Sequence, residues 1–414
     1  MAQLAASLLF LISTSLFLHT TSALTEVGDL KGLKSLQEAW RNTTPPNWLG
    51  NDPCGSSRRG WDGVTCTNSR VTSLQLSGMG LKGYLPSGIA LLPELRTLDL
   101  SFNKGLEGPL PPSIGNLRNL TTLILAGCNF SGPIPATVGS LTSLTILSLE
   151  YNAFTGQIPT EIGNLTNLSW LDLSYNQLVG NIPVSTADTP GLDSLLKLRH
   201  FHLEKNYLSG TIPHRLFSSA TTLVSLLLDG NSLTGSIPSS LGLVQHLEVI
   251  RLDRNRLTGT VPSSLSNLTN LDELNLSNNV LSGPFPNLTG TNHLGFLDLS
   301  NNSFDVSSFP SWLSTLKLLS TISLENIQLR GQVPFEMFSL PKIQIVKLMR
   351  NKLNGTLDIG PTHSNRLQLV NLQNNSISDY MIRPEANNVD VKLSGNPICN
   401  GTTPGPTPSY CMVS

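Results

Sequence analysis

The sequence predicts an α/β solenoid, a horseshoe or superhelix with a parallel sheet on its concave side and irregular or 3-10 segments on its convex side. Three observations predict this fold. The pattern L-x-x-L-x-L-x-x-N-x-L-x-G-x-I-P recurs along most of the 414 residues. Only 13% of the residues are charged, about half the usual share. Two pairs of cysteines flank the repeats, which is typical of an extracellular chain with disulfide-capped ends.

The asparagine of the pattern marks fourteen repeats, mostly spaced 23 to 25 residues apart. Each repeat can bury its apolar side only against its neighbours, so the array can exceed the size of a single globular core. These are leucine-rich repeats. The asparagine position falls at Met79, Asn103, Cys128, Asn152, Asn176, Asn206, Asn231, Asn255, Asn279, Asn302, Ile327, Asn351, Asn375 and Asn396.

Each part of the pattern has a physical role. The two leucines of L-x-L point from a short strand into the core, and their neighbours face solvent. The asparagine amide both donates and accepts, so it can satisfy backbone groups at the bend that follows each strand. The glycine permits a tight bend, and the proline ends strand pairing because it has no N–H. Stacked strands about 4.8 Å apart predict a concave sheet roughly 60 Å long.

Three residues depart from the asparagine rule. Met79 and Ile327 are expected to weaken the polar ladder locally without breaking the solenoid. Cys128 is interpreted as a buried structural thiol, with a reactive thiol as the alternative.

Two segments depart from the regular spacing. Thirty residues separate Asn176 from Asn206, and the extra residues around 186–196 predict a loop that leaves the convex side. The stretch 302–318 lacks the G-x-I-P segment and is expected to bend differently.

Both ends of the array are predicted to be covered. Residues 1–23 are typical of a signal peptide cleaved after Ala23, residues 24–70 of an N-terminal cap, 71–396 of the repeats, and 397–414 of a C-terminal cap. Two disulfides, Cys54–Cys66 and Cys399–Cys411, would each close a short loop, and a ~15-residue loop is worth about 3 kcal/mol. A cap helix is predicted from apolar residues at helical spacing, namely Leu24, Val27, Leu30, Leu33, Leu36 and Trp40.

The net charge and the hydropathy of the sequence limit which partners and which cellular compartment it predicts. The 26 basic and 27 acidic residues give a net charge of −1, so no field attracts nucleic acid. After residue 23 no apolar stretch reaches the ~20 residues of a membrane-spanning helix. The sequence therefore predicts entry into the secretory pathway, with secretion into the apoplast unless a membrane helix follows Ser414.

Motifs at both ends and in the middle carry a family resemblance. The motif W-x-G-V-x-C (Trp61–Cys66), the fourteen repeats and G-N-P-x-C (Gly395–Cys399) resemble the ectodomains of plant leucine-rich-repeat receptor-like kinases. The segments TPGLDSLLKLRHFHLEKNYLSG (Thr189–Gly210) and GLVQHLEVIRLDRNRLTG (Gly242–Gly259) are similar to the eighth subfamily of that family. The resemblance implies an extracellular domain for cell-surface signalling that binds a peptide, carbohydrate or protein ligand and a co-receptor kinase.

Members of that family continue into a membrane helix and a cytoplasmic kinase domain. This sequence stops three residues after Cys411 and has no H-R-D or D-F-G kinase signature, so kinase activity is not implied. The alternative is a soluble secreted protein, either a decoy receptor or an inhibitor similar to the polygalacturonase-inhibiting proteins. Those inhibitors have near ten repeats, so fourteen repeats favour the receptor.

The candidate ligand surface is the concave face of repeats four to eight, because its solvent-facing positions vary without harm to the core. A Trp beside Tyr and paired charges has the composition of a binding hot spot, and an ordinary solvated face is the alternative. The candidate residues are Glu150, Tyr151, Trp170, Asp172, Tyr175, His200, His202, Glu204, Lys205, Arg251, Asp253 and Arg254.

Two further motifs are interpreted as coincidences of the repeat. His200, His202 and Glu204 lie on one strand face, but alternate residues about 7 Å apart are too widely spaced for one metal ion. Residues 78–83 match G-x-G-x-x-G without the helix that a phosphate site requires. We therefore expect no enzyme activity, cofactor or metal.

Twelve N-x-S/T sequons predict a glycoprotein, with part of them left unused. Asn164 and Asn267 are expected on the convex side and are the preferred glycan sites. Asn275 is expected on the concave face, where a glycan would hinder a ligand. The sequons are Asn42, Asn119, Asn129, Asn164, Asn167, Asn267, Asn275, Asn287, Asn301, Asn354, Asn374 and Asn400.

Overall fold

The computed structural model describes residues 24–40, 43–55, 60–381, 388–400 and 408–412. The predicted signal peptide and the sequon at Asn42 lie outside these residues. Within them the chain forms a leucine-rich-repeat solenoid, which confirms the predicted fold class.

A main sheet of fifteen strands runs through the described residues from one end of the solenoid to the other. Its first two strands form an antiparallel hairpin, and every later strand is parallel to the strand before it. Its strands are Val64–Thr67, Arg70–Gln75, Thr97–Asp99, Thr122–Ile124, Ile146–Ser148, Trp170–Asp172, His200–His202, Ser225–Leu227, Val249–Arg251, Glu273–Asn275, Phe296–Asp298, Thr321–Ser323, Ile345–Lys347, Leu369–Asn371 and Asp390–Lys392.

A second layer of shorter strands follows the bend in each repeat and, among the described residues, divides into sheets of six, four and four strands. The first sheet contains Lys82–Gly83, Gly105–Gly108, Asn129–Pro133, Ala153–Gly156, Gln177–Gly180 and Tyr207–Leu208. The second contains Thr234–Gly235, Arg256–Gly259, Val280–Gly283 and Ser303–Phe304, and the third Ser307–Ser308, Leu329–Gly331, Lys352–Asp358 and Ser376–Met381.

The convex side is made of short 3-10 helices, as the sequence predicted. In most repeats a proline precedes the first residue of the helix, where its missing N–H costs nothing. The helices are Ser87–Leu91, Pro112–Asn116, Ala136–Ser140, Thr160–Asn164, Leu192–Ser194, His214–Leu216, Ser239–Leu243, Ser263–Asn267, Ser311–Thr315, Phe335–Met337, Pro397–Asn400 and Ser409–Cys411.

The asparagines form a polar ladder along the solenoid. Asn176 is typical: its Nδ2 donates to the carbonyls of Leu149 (3.0 Å) and Leu173 (3.1 Å), and its Oδ1 accepts from the Phe154 N–H (3.0 Å). One side chain thus joins two repeats and satisfies buried backbone groups that no strand reaches. A buried amide left without such an acceptor costs roughly 1–3 kcal/mol.

The three departures from the ladder differ in structure. Met79 is 42% exposed, and its thioether has no N–H with which to bond backbone carbonyls as the asparagines do. The Cys128 thiol donates to the Leu100 carbonyl at 3.2 Å, and burial raises its pKa to about 11, although the side chain is half-buried where the sequence suggested full burial. Ile327 is fully buried and cannot accept from the Phe304 N–H in the way that an asparagine would.

Both irregular segments change the second layer or the convex side. The inserted loop is held by Asp193, whose Oδ1 accepts from the backbone N–H (2.6 Å) and the hydroxyl (2.7 Å) of Ser185. Gly191 in this loop packs so closely on Val184 that a Cβ would lie 2.2 Å from its backbone carbon. The stretch 302–318 contains the second break of the second layer, between Ser303–Phe304 and Ser307–Ser308.

The N-terminal cap covers the first repeat with one helix, Val27–Ala39. Leu33 and Leu36 are buried, whereas Leu24 precedes the helix and Leu24 and Val27 are exposed, so the predicted apolar stripe is shorter than the sequence suggested. The helix begins where the Glu26 side chain accepts from the Asp29 N–H at 3.0 Å.

An ion pair with a buried carboxylate and the three tryptophans Trp40, Trp48 and Trp61 fasten this cap to the sheet. Asp29 accepts from the Arg70 guanidinium (3.0 Å) and from the Val71 N–H (2.7 Å). Stacked tryptophan rings lie beside the disulfide Cys54–Cys66, with Trp48 and Trp61 centroids 4.8 Å apart. At the other end, Cys399 and Cys411 are joined, so both ends of the array carry a disulfide.

Candidate functional site

The main sheet places the twelve candidate residues together on its concave side, within repeats four to eight, although repeat seven contributes none of them. We call this set the concave patch. The strand register determines which residues of the patch are neighbours: Trp170 pairs with His200, and Asp172 pairs with His202. Because the strands of the patch have the same length and direction, equivalent positions of successive repeats form columns across the sheet.

One column has a backbone conformation that the sequence analysis missed. The residue just before the asparagine position has a positive φ in each repeat, including Tyr151 (53°), Tyr175 (50°), Lys205 (55°) and Arg254 (51°). Glycine and asparagine adopt this left-handed region readily, but a bulky side chain there costs of order 1 kcal/mol. The column is Gly or Asn in eight repeats and is therefore visible in the sequence: Gly78, Gly127, Gly230, Asn278, Asn301, Asn326, Asn374 and Gly395.

The strained column contributes an exposed aromatic stack. The rings of Tyr151 and Tyr175 lie 4.2 Å apart and nearly parallel, yet the two side chains are 55% and 40% exposed. Deeper on the sheet, Trp170 lies 4.2 Å from the His200 ring and 5.4 Å from the His202 ring. Exposed aromatic rings on a rigid sheet offer contact area with little loss of side-chain entropy on binding.

Two predicted surface residues prove to be buried. Asp172 is 8% exposed, because its Oδ1 accepts from both the N–H and the hydroxyl of Ser174. Its Oδ2 lies 3.3 Å from His202 Nδ1, and His202 Nε2 lies 3.0 Å from the Ser225 hydroxyl. Asp172 therefore holds the His202 ring in place, and the expectation that it faces solvent was wrong.

Asp253 is the second correction, since it is 1% exposed. The guanidinium of Arg254 folds over it and approaches its Oδ2 to 2.7 Å. The position two residues before the asparagine is a small buried serine in several other repeats, such as Ser174 and Ser277, so a carboxylate placed there is covered by its neighbours.

Two acidic residues outside the predicted set pair with basic residues of the concave patch. Asp229 accepts from Lys205 Nζ at 2.8 Å and from Arg254 at 3.1 Å. Glu273 binds Arg251 with two hydrogen bonds of 2.6 and 3.1 Å. Asp229 occupies the same repeat position as Glu204 and Asp253, which is the signal that could have identified it.

Burial shifts the pKa of several carboxyl groups here. It raises the pKa of Glu204 to about 7 and that of Asp253 to about 6, and the neighbouring acids add to both shifts. Burial also raises the pKa of Glu150, although its hydrogen bond from Ser148 opposes the shift. The pKa of His200 is lowered by burial and, to a smaller extent, by His202.

The histidines do not form a metal centre with Glu204. Both ring nitrogens of His202 already face Asp172 and Ser225. Within the part of the chain that the structure describes, no group of three His, Cys, Asp or Glu side chains could hold a metal ion.

The sequons lie on several faces of the solenoid. Asn164 and Asn267 end 3-10 helices of the convex side, and Asn275 ends a main-sheet strand. On the concave column, Asn301 and Asn374 belong to repeats ten and thirteen. The concave patch itself contains no sequon among the described residues, and glycan occupancy stays a prediction.

Comparison of the chain with known proteins identifies the same type of repeat that the structure shows. Two models, both described as leucine-rich repeat, match residues 114–178 and 245–304, and residues 94–117, 222–243 and 293–316. A probable leucine-rich repeat receptor-like protein kinase of Arabidopsis thaliana is 56% identical over 384 residues. The alignment covers 92% of this chain and 40% of that protein, so the chain spans well under half the length of this relative.

Two solved structures share the solenoid. A crystal structure of a TDR receptor has a TM-score of 0.71 and 31% identity, covering 78% of this chain and 55% of that one. The Arabidopsis receptor kinase HAESA, solved with the peptide hormone IDA and the co-receptor SERK1, has a TM-score of 0.54 and 26% identity, covering 90% and 78%.

The fold and these matches define a leucine-rich-repeat protein. Its repeat region is of the type found in plant leucine-rich-repeat receptor-like kinases, which confirms the resemblance drawn from the sequence. None of the helices in the described residues is both long enough and apolar enough to cross a membrane.

Proposed function

We propose that the chain is an extracellular recognition domain that binds a peptide on its concave patch, without catalysis, as the sensing part of a cell-surface signalling protein. The aromatic stack of Tyr151 and Tyr175 beside Trp170 carries this proposal. Exposed tyrosine side chains at strained backbone positions support a binding role over a purely structural one.

A peptide is the ligand class that both the relatives and the geometry favour. HAESA was solved with a peptide hormone and a co-receptor on a similar solenoid. An extended peptide can lie across the strands and pass one repeat about every 4.8 Å, so it can run along a column of the patch and contact several repeats. We propose also that a second leucine-rich-repeat kinase serves as co-receptor, and that residues 1–23 direct the chain into the secretory pathway.

The rigidity of the sheet defines the mechanism. The main sheet is continuous across the patch, and the asparagine ladder ties each repeat to its neighbours. Binding then requires little rearrangement of the backbone, so the affinity depends mainly on aromatic contact and on charge complementarity.

The test is selection of ligands from a random peptide library displayed on phage, with the secreted full chain as bait. Trp170→Ala should lower the affinity for the selected peptides by about tenfold or more, because a central aromatic anchor is lost. Tyr207→Ala is the matched control, since Tyr207 is an exposed aromatic residue of the second layer in an adjacent repeat.

Secretion level and thermal unfolding of both variants identify any loss of folding. Equal affinities for the wild type and a folded Trp170→Ala variant would overturn the proposal. A matching loss in Tyr207→Ala would place the binding face on the side of the solenoid instead.

A further inference from the structure

Three consecutive repeats of the concave patch carry a carboxylate where most other repeats carry a small residue. Glu204, Asp229 and Asp253 each lie two residues before the ladder asparagine, on adjacent parallel strands. The equivalent Ser174 and Ser277 are buried. The three carboxylates therefore form a column beneath the surface of the patch, with strands about 4.8 Å apart.

The cations around this column are too few to balance it. Lys205 and Arg254 both contact Asp229, and Arg254 also reaches Asp253. Arg251 also acts on Asp229 and Asp253, but it is paired with Glu273, and this pair adds no net charge to the column. Three carboxylates thus share two positive charges, and the ionised column keeps one unbalanced negative charge.

Two of these acids have buried carboxylate oxygens beside which a further positive charge would be stabilising. Asp253 is 1% exposed, and although Arg254 lies 2.7 Å from its Oδ2 as an ion pair, neither carboxylate oxygen accepts a hydrogen bond among the described residues. The Oε2 atom of Glu204 is likewise buried without such a partner in the described part of the chain. Leaving buried carboxylate oxygens without donors is costly, and a cation placed beside them recovers that cost.

Glu204 is the member that a ligand can reach. It is half-buried, and its carbonyl accepts from the Tyr175 N–H at 3.0 Å, so it lies next to the exposed tyrosine stack. An aromatic face beside a carboxylate suits a guanidinium or ammonium group, which gains both a charge-assisted hydrogen bond and a cation–π contact.

We propose, resting on the proposed function above, that the concave patch recognises a peptide through a basic side chain that pairs with Glu204 beside Tyr175. The basic group supplies the positive charge that the column of Glu204, Asp229 and Asp253 lacks. Recognition then combines aromatic contact on repeats four and five with charge pairing on repeats six to eight.

The experiment uses the peptides selected from the random library. Arginine in a selected peptide is replaced by citrulline, which keeps the shape and removes the charge, and lysine by norleucine. On the wild-type chain this replacement should weaken binding about tenfold. On Glu204→Gln, the same replacement should change binding by less than about twofold, because the charge partner is gone.

Glu325→Gln is the matched control, since Glu325 occupies the same repeat position on repeat eleven, outside the patch. It should behave as the wild type does. Selected peptides without an excess of basic residues, or an equal charge effect on wild type and Glu204→Gln, would overturn the basic-group proposal. If one of these two results is found while Trp170→Ala still weakens peptide binding, the proposed peptide-binding function stands and only the basic-group proposal fails. If Trp170→Ala has no effect on binding, the proposed function itself is overturned.

Discussion

The main sheet and the second layer are built by the same repeats, but only the main sheet is continuous. Its fifteen strands form one sheet, and from the second strand on each pairs in parallel with the next, whereas the second layer is interrupted twice among the described residues. From the second repeat on, the L-x-L strand has three residues, and the irregularities of the chain fall after it. Variation is thus confined to the sides of the solenoid, and the concave face keeps the regular spacing that a binding surface needs.

The two layers meet at the asparagine ladder, and Ile327 is a missing rung next to a break in the second layer. The second break of that layer lies in the repeat just before Ile327. At regular positions the asparagine accepts from a backbone N–H at the second layer of the preceding repeat, as Asn255 does from the Leu233 N–H at 3.0 Å. The first break lies beside Asn231, which still accepts from the Leu208 N–H at 3.0 Å, so the ladder satisfies backbone groups of the second layer but does not alone decide where that layer breaks.

Exchanging asparagine and isoleucine at two positions of the ladder has the largest expected effect on stability. Asn255→Ile leaves the buried Leu233 N–H without its acceptor and should destabilise this region by about 2–3 kcal/mol. Ile327→Asn restores an acceptor near Phe304 while it gives up apolar burial, so its net change should stay within about 1 kcal/mol. Hydrogen exchange of the backbone amides around each site measures the local free energy of opening. Equal losses at both sites would show that the ladder is not a source of local stability.

The pH dependence of stability should distinguish the charged part of the concave patch from the rest. Because the pKa of Glu204 is raised to about 7, the folded state holds its proton above the pH at which the unfolded state releases it. This group therefore lowers the stability as the pH rises from about 4.5 towards 7. Glu204→Gln removes that loss, so the variant should gain more in melting temperature over the wild type at pH 8 than at pH 5. A gain of the same size at both pH values would contradict the assigned pKa.

The smallest expected effect concerns the strained column. Arg350 has a φ of 56° and lies outside the concave patch. Arg350→Asn should stabilise the chain by about 0.5–1 kcal/mol, because asparagine adopts the left-handed region more readily. Arg330→Asn is the control in a second-layer strand, where no gain is expected. Thermal unfolding of both variants compares them, and a gain at Arg330 as large as that at Arg350 would remove the backbone explanation.

The repeat period was sufficient to predict the sheet and the ladder, because both depend on spacing alone, and the two cysteine pairs that flank the repeats predicted the disulfides. The burial of Asp172 and Asp253 was not predictable in the same way. Whether a side chain beside a strand meets solvent depends on which neighbouring side chains cover it, as Arg254 of the same repeat covers Asp253 and His202 of the next repeat lies against Asp172. The alternation of side chains along one strand predicts which face of the sheet a side chain lies on, but not whether other side chains bury it there.

The counter-charges were missed for a related reason. Asp229 and Glu273 face Lys205 and Arg251 from neighbouring repeats, 24 and 22 residues away in sequence. Reading each repeat alone separates these partners, whereas aligning equivalent positions of successive repeats places them side by side. The positive φ of Tyr151 and Tyr175 could have been found in the same way, from the Gly and Asn that share their column.

The central claim is that the continuous concave sheet binds the ligand and the interrupted second layer does not. Affinity of library-selected peptides for Trp170→Ala and for Tyr207→Ala tests it most directly. The account predicts a loss of about tenfold or more in the first variant and unchanged affinity in the second, with both variants secreted and folded. Unchanged affinity in folded Trp170→Ala, or an equal loss in Tyr207→Ala, would contradict it.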